Sequence, residues 1–72
     1  MYSINQKDIE KLYEYIINKD VERANQFVEE QNSKGFSRVV SLECLRNYVR
    51  TLSKDAQERF KENYDWFLSS SF

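Results

Sequence analysis

The 72-residue chain has no histidine and no proline, and it has a single glycine, Gly35, and a single cysteine, Cys44. Each shortage excludes something. Without histidine and with one thiol, the chain by itself cannot assemble a His/Cys zinc site, an internal disulfide, or a Ser-His-Asp or Cys-His nucleophile. One glycine cannot build a phosphate-cradling loop. Long hydrophobic runs are missing too. The longest are three residues, such as Tyr15-Ile16-Ile17 and Trp66-Phe67-Leu68, against the about 20 that a membrane span needs. In the first twenty residues, charges at Lys7, Asp8, Glu10 and Lys11 interrupt every candidate signal sequence. Small secreted domains also lean on several disulfides, which a lone Cys44 cannot supply. The expectation is a cytoplasmic protein with no bound cofactor, no metal and no membrane contact.

What is present is an apolar, evenly charged chain. It is 40% hydrophobic and 15% aromatic, with 11 basic against 12 acidic residues. That is too apolar for disorder and too neutral for a general nucleic-acid coat. Its length makes one domain, residues 1–72, that buries only roughly 60% of its unfolded surface, so a partner or a second copy is expected to help.

The scarcity of turn residues argues against strands, and the apolar spacing is helical. Ile9, Leu12, Tyr13, Ile16 and Ile17 form an i, i+3, i+4, i+7, i+8 stripe, with Ser3 or Asn5 placed to cap its start. Asp20 reads as the cap of a second helix with Val21, Ala24, Phe27 or Val28, and Gln31 inward. Asn32-Ser33-Lys34-Gly35 reads as a loop. Residues 36–40 read as a connector, either extended or a turn whose Phe36 and Val39 plug the core. Ser41 then caps a third helix facing inward with Leu42, Leu45, Tyr48, Val49 and Leu52. Ser53 caps a fourth with Ala56, Phe60, Tyr64, Phe67 and Leu68 inward. The spacing thus predicts an all-α bundle of helices over about 4–18, 21–31, 42–52 and 54–68, with a frayed tail at 69–72.

The acidic residues are interleaved with basic ones, as in Lys7-Asp8, Glu10-Lys11 and Glu22-Arg23. This is the pattern of a solvated helix face. Glu29 and Glu30 are adjacent, so their side chains diverge by roughly 100° and make a poor metal site. No enzyme activity is expected. Charge is nonetheless unevenly placed: residues 1–30 carry net −3, residues 34–54 net +4, and residues 55–72 net −2. The basic centre is either a binding surface or is neutralised internally when the bundle closes.

Within that centre, Ser41-Leu42-Glu43-Cys44-Leu45-Arg46-Asn47-Tyr48-Val49-Arg50 resembles the recognition helix of MerR-type regulators and phage excisionases. There, a Ser-x-Glu-x-hydrophobic-Arg-x-aromatic-x-Arg pattern caps a helix and presents arginine to DNA. The likeness covers ten of the 72 residues. It implies that Arg46, Asn47 and Arg50, with Arg38 on the same basic stretch, contact nucleic acid. The chain departs from that pattern in three ways. The segment from Gly35 to Ser41 exceeds a tight helix-turn-helix corner, no basic wing follows, and the helix from Asp55 is acidic. A salt-linked ladder of Glu43 with Arg46 and Arg50 is the alternative reading.

Eleven residues are aromatic, and most fit core positions. Tyr15 and Trp66 fall well off the apolar stripes of their helices, and Phe72 lies beyond the terminal serines. Exposed large aromatics point to a protein-binding patch. The composition, rich in Asn, Lys, Ile and Tyr, is of a kind common among phage and mobile-element accessory proteins. The reading from sequence is a non-catalytic regulator (inhibitor, adaptor or transcriptional modulator) that binds another protein through Tyr15, Trp66 and Phe72 and forms a homodimer. The alternative is a DNA-binding regulator using the helix at 41–52.

Overall fold

A computed structural model of the chain describes residues 4–70. Among them the chain forms four helices and no strand: α1 (Gln6–Ile17), α2 (Val21–Ser33), α3 (Arg38–Val49) and α4 (Lys54–Ser70). The all-α bundle expected from the pattern is therefore the fold. Each helix starts on a side-chain oxygen that accepts from an otherwise orphaned backbone N–H. Asn5 Oδ1 takes the N–H of Lys7 at 2.8 Å, and Asp20 Oδ1 that of Arg23 at 3.2 Å. Ser37 Oγ takes the N–H of Val40 and Ser53 Oγ that of Ala56, both at 3.3 Å.

The first two corners share one geometry. After α1, the Asp20 N–H reaches back to the Tyr15 carbonyl at 2.7 Å and the Lys19 N–H to that of Ile16 at 3.1 Å. After α2, the Phe36 N–H bonds the Gln31 carbonyl at 2.8 Å and the Gly35 N–H that of Asn32 at 3.1 Å. Both are Schellman endings, which need a left-handed residue just past the helix. Gly35 supplies it at φ 100°, and Lys19 at φ 59°.

Helix α3 begins earlier than the sequence pattern suggested. Its cap is Ser37, not Ser41, and residues 38–40 are helical rather than a connector. The Schellman ending closes α2 so tightly that Phe36 and Ser37 suffice to redirect the chain. Ser41 consequently lies one turn inside the helix and is fully buried. Val39, expected to plug the core, points outward and is 72% exposed, while Phe36 does pack against the core. At its other end α3 stops at Val49 rather than Leu52, because the N–H groups of Thr51 and Leu52 tighten into i→i−3 bonds on Tyr48 and Val49, both 3.0 Å. Helix α4 runs on through Ser69 and Ser70, so these two do not form a frayed tail. Phe72 lies outside the described residues.

The core is a single cluster that includes Ile4, Ile9, Leu12, Ile16, Ala24, Phe27, Val28, Leu45, Val49, Phe60 and Phe67. Helix α1 touches all three other helices, whereas α2 and α4 pack on α1 and α3 and barely meet. An aromatic train crosses three helices. Tyr13 of α1 meets Tyr48 of α3 edge-on at 5.7 Å and stacks on Phe60 of α4 at 5.8 Å, and Phe60 stacks on Tyr64 at 5.0 Å. At 32 × 27 × 16 Å the bundle is about two helix layers thick, so every helix keeps a solvent face.

Candidate interaction surface

The most unusual solvent face belongs to α3. At 100° per residue, Val39, Glu43, Arg46 and Arg50 fall within roughly 60° of one another, with Asn47 on the flank. All five are exposed. Val40, next to Val39, is 38% exposed, so the helix opens with two valines facing water. Between this stripe and α4 lies a cleft of about 300 Å³ lined by Val39, Leu42, Glu43, Arg46, Asn47, Arg50 and Tyr64. On the other flank of Asn47 a shallower groove of about 550 Å³ runs toward the start of α1, past Ile4, Ile9, Cys44 and Tyr48.

The charges on α3 are not paired as a ladder. Asp20 and Arg23 form an ion pair at 3.5 Å, but among the described residues no ion pair joins Glu43 to Arg46 or Arg50. Their guanidiniums stand in solvent at the cleft rim. Arg38 behaves differently: it is half-buried, with its guanidinium 5.5 Å from the centre of the Phe67 ring. The structure thus brings Arg46, Asn47 and Arg50 to one cleft and folds Arg38 against α4.

Tyr64 forms the α4 wall. Burial raises the pKa of its hydroxyl, partly offset by the positive charges of Arg46 and Arg38. Across α3, burial likewise raises Tyr48, helped by the carboxylate of Glu10. Under the stripe, the Ser41 hydroxyl oxygen is buried with no hydrogen-bond partner, a state that costs free energy. The cap role that Ser41 plays in the MerR-like pattern is therefore taken here by Ser37.

The aromatic residues picked out from sequence occupy separate places. Tyr15 is half-buried and packs against the core, lining the α1–α2 groove with Arg23, Gln26, Phe27 and Glu30. Trp66 is 40% exposed, and the Lys19 ammonium lies 5.8 Å from its ring centre. It is turned roughly 200° round α4 from Tyr64, toward the end of α1, where Asn63 donates to the Ile17 carbonyl at 3.4 Å. Val39 and Val40 are the surface residues that the sequence pattern does not reveal, since their apolar character suggests core. Leu42 and Tyr64, expected inward, do pack against the core and also wall the cleft.

Among the described residues, no helix is long and apolar enough to cross a membrane, and no group of three or more His, Cys, Asp or Glu side chains is placed to hold a metal ion. Comparisons with protein-family models, with curated proteins and with solved structures give no match.

Proposed function

We propose that this chain is a non-catalytic regulator that works by binding another protein through the outer face of α3. The observation that carries the reading is the exposure of Val39 and Val40 on a helix whose Arg46 and Arg50 make no ion pair among the described residues. Two β-branched apolar side chains in water, on a helix whose own serine is buried, gain most when a partner covers them. Catalysis is disfavoured because the described carboxylates are exposed or half-exposed, none of them buried, whereas acid–base work calls for a group enclosed beside its substrate.

The alternative, duplex DNA read by α3, has weaker support. Arg46 and Arg50 neutralise about two phosphates, against the roughly six to ten contacts of a strongly salt-dependent DNA binder. Glu43 stands in the same stripe, and Asp55, Glu58 and Glu62 line an exposed face of the neighbouring α4. Trp66 offers a second apolar contact on a different side, of the residue type that dominates interface hot spots.

The test compares the tagged wild-type chain with Val39→Ser/Val40→Ser in co-purification from its native cell, with circular dichroism as the fold control. The wild type is expected to retain a protein that the folded double variant loses. Sub-micromolar DNA binding at physiological salt, abolished by Arg46→Glu/Arg50→Glu, would replace this reading with the DNA one.

A further inference from the structure

Resting on that reading, we infer that the partner is an acidic amphipathic segment of another protein, seated in the α3–α4 cleft with an apolar side chain over Val39 and Leu42 and carboxylates on Arg46 and Arg50. The cleft is polarised along its length. Its first end, at Val39 and Leu42, is apolar, and its far end carries both guanidiniums. The two ends are seven residues apart on α3, about 10 Å, and Arg46 and Arg50 are one further turn apart, about 6 Å. A complementary helix therefore carries an apolar residue about two turns from a pair of carboxylates that are themselves one turn apart.

The charge pattern narrows the occupant further. Glu43 stands between the valine end and the arginines, so a carboxylate placed too close to the apolar anchor is repelled. That spacing is a selectivity element, since it penalises a uniformly acidic segment and a basic one alike. A volume of about 300 Å³ has room for one large aliphatic or aromatic anchor. Because neither Arg46 nor Arg50 has an ion-pair partner among the described residues, docking breaks no pair seen there. A bidentate carboxylate on each guanidinium supplies both attraction and register. Phosphates would meet the same two arginines, but with Glu43 and the exposed Val39 in the contact.

The probes are three synthetic helical peptides and one 20-base-pair duplex, titrated into the isotope-labelled full chain by NMR. One peptide carries a leucine anchor with two glutamates at the spacing above. The second replaces both glutamates by glutamine, and the third by lysine. The acidic peptide is expected to bind at least tenfold tighter than the glutamine form and at least a hundredfold tighter than the lysine form. Its shift changes should centre on residues 39, 42, 46, 47, 50 and 64, and its affinity should fall as salt rises. Arg46→Glu/Arg50→Glu, which alters exposed residues only, should invert the ranking so that the lysine peptide binds best.

Equal affinity for the acidic and glutamine peptides, shift changes elsewhere on the bundle, tighter binding of the duplex, or occupation of this face by a second copy in sedimentation overturns the inference. A native partner whose capture depends on Val39 and Val40 but is unmoved by the arginine reversal also overturns it. That last result leaves the protein-binding reading standing, so the two fail separately.

Discussion

Helices α1 and α3 are both twelve residues long, yet they treat polarity in opposite ways. In α1 the buried residues are Ile9, Leu12 and Ile16, and the charged side chains lie on the outer faces. In α3 the buried set is Ser41, Leu45 and Val49, while Val39 and Val40 face water. A polar group is inside without a partner and apolar groups are outside without cover. Chains that fold well keep local pattern and global packing in agreement, and departures from that agreement tend to sit at functional sites. The contrast teaches that α1 keeps pattern and packing in agreement, whereas α3 packs on the other helices yet departs from that agreement, as the proposed binding face requires.

The comparison breaks hardest at the centre of α1. Leu12 is completely buried and sits on a helix that, like α3, touches all three others. Leu12→Ala should cost about 2–5 kcal/mol, a large part of the stability of so small a domain. Leu45→Ala should fall in the same range, because Leu45 is as completely buried on α3. Urea denaturation of both variants measures this, and an unchanged midpoint for either would mean that its core assignment is wrong.

A change at Ser41 sharpens the contrast in the other direction. Ser41→Ala removes an unpaired buried hydroxyl and raises helix propensity, so it should stabilise the fold by about 1 kcal/mol. A loss of stability on the same scale would show that the hydroxyl is satisfied in solution.

The pH dependence separates the two sides of α3. Burial raises the pKa of Tyr48, which faces α1, and of Tyr64, which walls the cleft. A tyrosine whose folded value is raised holds its proton more tightly in the folded state. Its stabilising contribution is full below the unfolded value near about 10 and is lost as pH rises through the folded value. Thermal melts from pH 8 to 11.5 should fall at the alkaline end, and Tyr48→Phe should flatten that fall. An unchanged alkaline limb would place Tyr48 in an open environment.

The smallest stability effect belongs to the exposed valines. Val39→Ser/Val40→Ser should shift stability by within about 0.5 kcal/mol while removing partner capture. A large destabilisation would mean that the valines belong to the core after all.

Much of this architecture is legible in the sequence. The i, i+3, i+4 stripe of α1 and the caps at Asn5, Asp20 and Ser53 follow from local chemistry alone. The start of α3 does not, because Ser37 and Ser41 are equally good caps by residue type. The choice between them is made by how tightly Gly35 closes α2, a local backbone geometry that residue types alone do not fix. The same holds for the surface. Arg46, Asn47 and Arg50 are readable as an outer face from their spacing, whereas Val39 looks like a core residue until the start of α3 at Ser37 is known. Trp66 was readable as off the core stripe, but its cover by Lys19 depends on a left-handed residue that sequence gives no reason to expect outside glycine.

Trp66 is the single tryptophan of the chain, and its placement makes the protein its own spectroscopic gauge. It lies on α4 beside the corner that closes α1, turned away from the cleft between α3 and α4. Separation of α4 from that corner strips away the Lys19 ammonium and exposes the indole, shifting its emission to the red. A ligand settling on α3 leaves the indole untouched. Tyrosines 13, 48 and 64 form the ring train through the interior, so energy passed from them to Trp66 falls when the bundle opens. Intrinsic fluorescence therefore distinguishes unfolding from docking in one unlabelled sample.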